Sequence, residues 1–351
     1  MRFYAGLMLI IWLPVCAFLS EDPPDSYKFP VLDLFPPMPV DSANPVTVEG
    51  ALLGRYLFYD PILSADSTIS CASCHRQEAA FSDGPNKLSQ GMNDALQARN
   101  TLPLFNLAWY SRLFWDGRVG TIEEHVSHPF SAAMEMNMSW PLAITRLSRN
   151  SRYVSLFRRA FGDDEIDSAR IVRAIGQFER TLVSANSRYD KALKGEAILT
   201  EDEFEGFNLV NDMTRGNCLQ CHTTDSDALG TDAGFSNNGL DDPAMPEADK
   251  GLGVITGRAE DNGKFKVPSL RNLSFTPPYM HDGRFATLEQ VLDFYSEGVH
   301  PSASTDSRMG ITGRNGPHLT ATEKKQIIAF LHAMSDSSFI QNEAFSNPFT
   351  D

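Results

Sequence analysis

ISCASCHRQ, residues 69–77, places two thiols, Cys71 and Cys74, two residues apart and puts His75 directly after the second. Three chemistries use such a pair. A zinc knuckle takes C-x2-C together with two further ligands. A redox dithiol takes C-x-x-C and has no use for the trailing histidine. A covalently attached haem takes all three residues: the thiols add to the two porphyrin vinyl groups, and the next residue is placed to ligate iron. The pattern returns as CLQCH at residues 218–222, with Cys218, Cys221 and His222. The chain has five cysteines, and the fifth, Cys16, falls in the N-terminal segment. Two copies that use every other cysteine predict two covalent c-type haems, with zinc or disulfides as the alternatives.

The N-terminal segment reads as an export signal. Arg2 is the only charge ahead of the apolar run AGLMLIIWLPV (residues 5–15), which is too short to cross a bilayer. Small residues around position 17 predict a signal peptide over residues 1–17, cut after Ala17, and export to the periplasm. A lipoprotein anchored at Cys16 is the alternative; Val15 stands where that signal takes a smaller residue. No later segment is long and apolar enough to span. The 351 residues suffice for two domains, and the formal net charge of −15 argues against nucleic acid or an anionic membrane as partner.

The two halves echo each other beyond the cysteines. LFNLAWYSRLFWDGRVGTIEEHV (104–126) aligns without a gap to LRNLSFTPPYMHDGRFATLEQVL (270–292), at a constant offset of 166 residues. Leu104, Asn106, Asp116-Gly117-Arg118, Thr121 and Glu123 meet Leu270, Asn272, Asp282-Gly283-Arg284, Thr287 and Glu289. The pattern predicts two tandem haem domains related by internal duplication. Thr121 and Thr287 are N-cap candidates for the helices that follow. Leu288, Val291, Leu292 and Tyr295 then share one inward face, as do Ile122, His125, Val126 and Pro129 in the first copy. If that face covers the haem, Tyr295 offers a phenol oxygen to the second haem, whereas Pro129 leaves the first haem open opposite His75. The alternative makes Tyr295 a core tyrosine and Pro129 a helix stop. Residues 18–45 read as an extended lead-in. The first haem domain is expected over 46–190, the second over 191–335, and a tail over 336–351. Helices are expected over 166–184, 199–210 and 321–334, and a long irregular stretch over 223–264.

The chain resembles the bacterial dihaem cytochrome c peroxidases and their MauG-like relatives. The resemblance runs from about Val46 to about Met334. It is carried by LGRYLFYDPILS (53–64), CASCH, FSDG (81–84), RNTLPLFN (99–106), FWDGR (114–118), EM (135–136), CLQCH, FKVPSLRN (265–272) and PYMHDG (278–283). It implies a mostly α-helical fold of two cytochrome c-like domains, the first peroxidatic and the second transferring electrons, with one Ca2+ between them. His75 and His222 match the proximal iron ligands, and Trp115 matches the tryptophan between the haems. Asn100, Thr276 and Pro278 match the calcium site, a set of oxygen donors suited to that ion. Glu135 matches the acid–base of the first haem, a role that typically contributes about 10²–10⁴-fold.

The chain departs from the peroxidases at three positions. Tyr295 stands where they have methionine and MauG-like members have tyrosine; Met309 is its rival as ligand. Met92 stands where many peroxidases carry the histidine that caps the resting first haem. His125 replaces a glutamine near the first haem, which makes it a second acid–base candidate beside a core role. The leading expectation is a periplasmic peroxidase that reduces hydrogen peroxide to water with electrons from a small cytochrome c or cupredoxin. The second is a MauG-like oxidase that uses peroxide to oxidise residues, typically tryptophan, on a partner protein. The third is a non-enzymatic dihaem electron carrier. All three are compatible with a homodimer.

Overall fold

The computed structural model of the chain describes residues 24–223, 228–242, 245, 248–309 and 316–349. The export signal, its cut after Ala17 and Cys16 lie outside the described residues. Among the described residues strand is confined to β1 (Phe235–Ser236) and β2 (Phe265–Lys266), which pair antiparallel; the regular structure is otherwise helical. No helix among them is long and apolar enough to cross a membrane.

Each half is organised by one close helix pair. In the first, α1 (Val48–Tyr59) precedes the short helix α2 (Cys71–Cys74). Then come α3 (Ile122–Ser131), α4 (Trp140–Ser148), α5 (Ser151–Phe161) and α6 (Ser168–Thr181), the last lying against α1. In the second, α7 (Arg188–Leu193) and α8 (Glu201–Asn211) are followed by α9 (Leu252–Thr256) and α10 (Leu288–Asp293). There α11 (Ala321–Ala333) lies against α8, and α12 (Ser337–Ile340) follows. Both pairs meet at a glycine. A Cβ on Gly54 would stand 1.9 Å from the Ala174 carbonyl oxygen and 2.9 Å from Phe178 Cβ; on Gly206 it would stand 1.9 Å from the Gln326 oxygen and 2.9 Å from Phe330 Cβ. Only a residue without a Cβ allows two helix backbones to come that close. Each glycine helix then leads into a CxxCH segment.

The duplication is legible in the backbone itself. The Leu113–Val119 bridge recurs as Tyr279–Phe285. The 3-10 turn Leu107–Trp109 recurs as Leu273–Phe275, each entered from a left-handed asparagine, Asn106 (φ 55°) and Asn272 (φ 61°). Asparagine tolerates that conformation because its short polar side chain bonds locally. Thr121 Oγ1 accepts from the Glu124 amide at 3.1 Å, and Thr287 Oγ1 accepts from the Gln290 amide at 3.4 Å. Both caps are completed reciprocally by the side chain at N3.

A buried polar seam joins the halves. The Asn106 amide group donates to the Ser184 carbonyl at 3.1 Å and accepts from the Ser184 amide at 2.9 Å. Asn272 donates to Ser184 Oγ at 3.0 Å and accepts from the Asp336 amide at 2.8 Å. Asp336 Oδ2 in turn accepts from the amides of Ala185 and Asn186 at 3.1 and 2.9 Å. Two stretches reach into the core of the other half. Phe339 and Phe345, in the expected tail, join the first core, with Phe339 against Phe81 and Phe105. Tyr189, expected at the end of the first domain, joins the second core edge-on to Phe330 at 5.1 Å.

Arg271 and Asp190 form an ion pair with no side-chain exposure, and Arg271 Nη1 also donates to the Ala228 carbonyl at 2.8 Å. Arg271→Met leaves that carboxylate buried without its cation. It is expected to destabilise the fold by about 3–5 kcal/mol, read as a lower urea midpoint at unchanged denaturant slope.

Candidate active site

At the first CxxCH, Ser70 and α2 set the two thiols on one short helix, and the His75 amide closes it on the Cys71 carbonyl at 3.0 Å. His75 Nδ1 lies 2.7 Å from the carbonyl oxygen of Phe81, a left-handed residue (φ 61°). A carbonyl can only accept, so Nδ1 carries the proton and Nε2 keeps its lone pair. Burial pushes the His75 imidazole down to about 4, partly opposed by the Phe81 bond, and the ring is therefore neutral through the physiological range. The second copy repeats the logic with different parts. The turn Cys218–Gln220 is entered from left-handed Asn217, and His222 Nδ1 donates to the Pro268 carbonyl at 2.9 Å. Burial lowers His222 as well.

These residues fit a c-type haem in each half. Among the described residues Cys71, Cys74, Cys218 and Cys221 are free thiols. Among the described residues no three His, Cys, Asp or Glu side chains converge as a zinc site requires. What remains is two thiols and one imidazole with a single available nitrogen, held in orientation by a carbonyl.

α3 carries His125 to a cavity lined from the first half by Phe105, Tyr110 and Phe114 and from the second by Lys266 and Pro268. The His125 ring lies 4.6 Å from Phe114, whose other neighbours are His128 at 5.1 Å and the Arg118 guanidinium at 3.8 Å. Glu135 sits in the turn beyond α3, and its carbonyl accepts from the Met92 amide at 3.3 Å. Burial raises the Glu135 carboxyl above the usual range, with Arg118 and His125 pulling the other way. Glu135 in turn pushes up both Cys71 and Cys74, and His125 helps to depress His75. Glu135, His125 and the first CxxCH thus share one electrostatic neighbourhood. Met92 is buried beside them. Pro129 is part of α3 and brings no donor.

The second motif faces a different group. After α10 the chain enters a π-turn, Phe294–Gly298, and Tyr295 lies in it. Tyr295 Oη accepts from Asn238 Nδ2 at 3.0 Å. Burial pushes the phenol up to about 12; Asn238 opposes this, while Cys218 and Cys221 add to it. The phenol is therefore within electrostatic reach of both thiols of CLQCH. The same Asn238 amide lies 3.9 Å from Met280 Sδ. Neither Asn238 nor Met280 stands out in the sequence. Met280 was nevertheless findable: at the repeat offset it matches Phe114, and both are left-handed, with φ 76° and 63°. Met309 lies in the 3-10 turn Ser307–Met309, whose Arg308 donates to the Gln220 carbonyl at 2.9 Å and braces the motif from outside.

Trp115 stands between the halves. Its Nε1 donates to the Asn100 carbonyl at 2.8 Å, its carbonyl accepts from the Lys266 amide at 2.9 Å, and its ring lies 6.4 Å from His281. The Asn100 amide nitrogen donates to the His281 carbonyl at 2.8 Å. The Asn100 side chain donates to the Lys87 carbonyl at 3.0 Å, which leaves its Oδ1 as a free oxygen donor. Nearby, a Cβ on Gly84 would meet the Pro277 oxygen at 2.5 Å, so the 84–100 segment presses on the segment that holds Thr276 and Pro278.

The family model for di-haem cytochrome c peroxidase matches residues 48–198. The methylamine utilization protein MauG of Methylophilus methylotrophus is 35% identical over 301 residues, covering 85% of each chain. The cytochrome c551 peroxidase of Nitrosomonas europaea is 36% identical over 267 residues, covering 74% of this chain and 76% of its own. Among solved structures, a MauG-like protein associated with microbial copper homeostasis superposes with a TM-score of 0.83 at 37% identity, covering 92% of this chain and 99% of that one.

Replacing Cys218 and Cys221 together by alanine is expected to halve the covalent haem per chain. The measurement is the pyridine haemochrome of the purified protein. An undiminished haem content would place the second haem elsewhere.

Proposed function

Since the chain belongs to the family of di-haem cytochrome c peroxidases and MauG, we propose that it is a periplasmic oxidase of the MauG type, using hydrogen peroxide to oxidise residues on a partner protein. The family makes it an oxidoreductase that acts on peroxide with two c-type haems. Within that family, the observation that favours the MauG type is Tyr295. A half-buried phenol lies within electrostatic reach of the second CxxCH, with its oxygen already held by Asn238. An anionic oxygen ligand favours the higher oxidation states of iron, whereas a thioether favours the reduced one. The 37% identity to a MauG-like protein, across almost all of that chain, supports the same reading.

When bound, haem supplies the iron at which peroxide is reduced and the oxidising equivalents are held. The protein's own residues handle geometry and protons. The bond from His75 to Phe81 holds the imidazole in place. Glu135, raised by burial, keeps a proton at higher pH than a free carboxyl would, and so can hand one to the oxygen that leaves as water. Trp115, bonded to both halves, would carry electrons between the haems. Asn100, Thr276 and Pro278 would hold Ca2+, which would tie the two halves together there. A pure electron carrier has no need of an acid–base at an open haem.

One observation favours the second reading, a peroxidase fed by a small cytochrome c or cupredoxin: the Met280 thioether shares the second pocket with Tyr295.

EPR decides between them. The diferric protein is expected to show one high-spin and one low-spin haem and to react with peroxide without prior reduction. Tyr295→Phe is expected to change only the low-spin signal. If that signal persists in Tyr295→Phe and vanishes in Met280→Ala or Met309→Ala, the haem has a thioether ligand and the cytochrome peroxidase reading takes over.

Glu135→Gln is expected to slow the reaction with peroxide by about 10²-fold, about 3 kcal/mol of barrier, with both haems retained. Stopped-flow mixing of the diferric protein with peroxide measures it. Chelation of calcium is expected to lower activity and to alter the low-spin EPR signal.

A further inference from the structure

The interface of α3 and α6 carries two ionisable pairs, and only one of them is saturated. The outer pair is Glu123 with Arg180, at 2.6 Å, with Asn44 donating to the same Glu123 oxygen at 2.7 Å. The inner pair is His125 with Glu179, whose facing atoms, Nδ1 and Oε2, are 3.8 Å apart. The Glu179 side chain is 4% exposed and that of His125 is 15% exposed. Both Nδ1 and Oε2 are buried without a hydrogen-bond partner. Arg180, the neighbouring cation on α6, is already committed to Glu123 and Asp41. A buried polar atom with no partner is costly, and two of them facing each other call for the bond that a small ring rotation would make.

The setting gives that bond a purpose. Glu179 adds to the upward push on the Cys71 thiol, so its carboxyl reaches the first CxxCH. His125 acts on His75 of that motif and on Glu135, and it lines a cavity with Phe114 and Tyr110. With Nδ1 turned to Glu179, Nε2 is the ring nitrogen left over for the cavity that His125 lines. The groups around the ring are Glu179 from α6, Phe114 with Arg118 behind it, and Glu135 from the turn after α3.

We propose that Glu179 is a positioning residue for His125: it holds the Nδ1 proton, fixes the tautomer with Nε2 free, and makes His125 a base at the first haem. The inference rests on the peroxide reading given above. In the step it serves, His125 Nε2 takes one proton from hydrogen peroxide as the hydroperoxide anion forms. The Nδ1–H stays on the ring, bonded to Glu179, whose carboxylate offsets the charge of the imidazolium. Glu135 then supplies a proton to the departing oxygen, so the two acid–base groups divide the two transfers. A carboxylate that orients a histidine is a recurrent device, because it selects the tautomer and raises the basicity of the far nitrogen.

Cyanide tests this without turnover. Hydrogen cyanide must lose its proton to bind as the anion, so the association rate at the ferric first haem reports a base in the pocket. It is read as the Soret change on stopped-flow mixing of the diferric holoprotein with cyanide. His125→Gln is expected to slow association by about 10²-fold, and Glu179→Gln by about tenfold. The double variant is expected to be no slower than His125→Gln, because Glu179 acts only through the ring. Glu179→Asp keeps the charge but withdraws it, and is expected to fall between the wild type and Glu179→Gln. A wild-type rate in Glu179→Gln overturns the proposal. So does a double variant slower than His125→Gln by the full factor of Glu179→Gln. If Glu179→Gln does not retain both haems, Glu179→Asp decides: a wild-type rate overturns the proposal, and a slowed rate that vanishes in the His125→Gln background supports it. The measurement involves no electron donor, so the cytochrome peroxidase outcome of the EPR test would leave this result standing.

Discussion

Four buried polar residues, Asn106, Ser184, Asn272 and Asp336, carry the constraint on which the rest of the molecule depends. None is more than 3% exposed. The two asparagines are equivalents in the duplicated halves. Each reads the backbone just beyond the last helix of its own half: the Asn106 amide donates to the Leu182 carbonyl, and the Asn272 amide to the Met334 carbonyl. Because Asn272 also donates to Ser184 while Asp336 accepts from Ala185 and Asn186, the two turns are tied to each other. A buried amide that loses its partner costs about 1–3 kcal/mol, so slippage of one half against the other would break several such bonds together. This knot helps to set the relative position of the two CxxCH motifs, beside the rings of Phe339 and Phe345 that reach into the first core.

On that symmetric frame the chemistry is asymmetric. The histidine of CxxCH is held by a carbonyl six residues downstream in one half and by one from a distant segment in the other. At one repeat position Phe114 packs on His125 and Arg118, whereas its equivalent Met280 approaches Asn238 and so borders Tyr295. The helix after DGR runs on as α3 through Pro129, but its copy ends at Asp293 and opens into the π-turn that holds Tyr295. π-turns of this kind often mark functional positions, because they change where one side chain points without moving its neighbours. The scaffold appears twice, and a few substitutions at matched positions give the two CxxCH segments different neighbours.

Much of this was legible in the sequence because covalent chemistry and repetition leave patterns that do not depend on folding. CASCH and CLQCH exclude most alternatives by residue type alone. The offset of 166 residues finds the shared turns, the threonine caps and the Pro129–Tyr295 contrast before any coordinate is known. What it could not find are partners supplied from far along the chain. Asn238 lies in an irregular stretch with no apolar period, and its role arises only because that stretch folds back over Tyr295. Phe339 and Phe345 look like a tail and become core, since nothing local says that the first half lacks two rings.

Glu179 is the clearest case of that limit. Within α6 it sits in a run of buried residues, beside an arginine that a reader of the sequence would pair with it at once. The fold assigns that arginine to Glu123 instead. Adjacent residues on a helix point about 100° apart, so Glu179 and Arg180 cannot share one partner and must face different neighbours across the same interface. One of them closes the interface, and the other is turned inward, towards His125. An unpaired carboxylate in that place is costly to the fold unless the histidine answers it, and that cost is a physical reason to look for a function there.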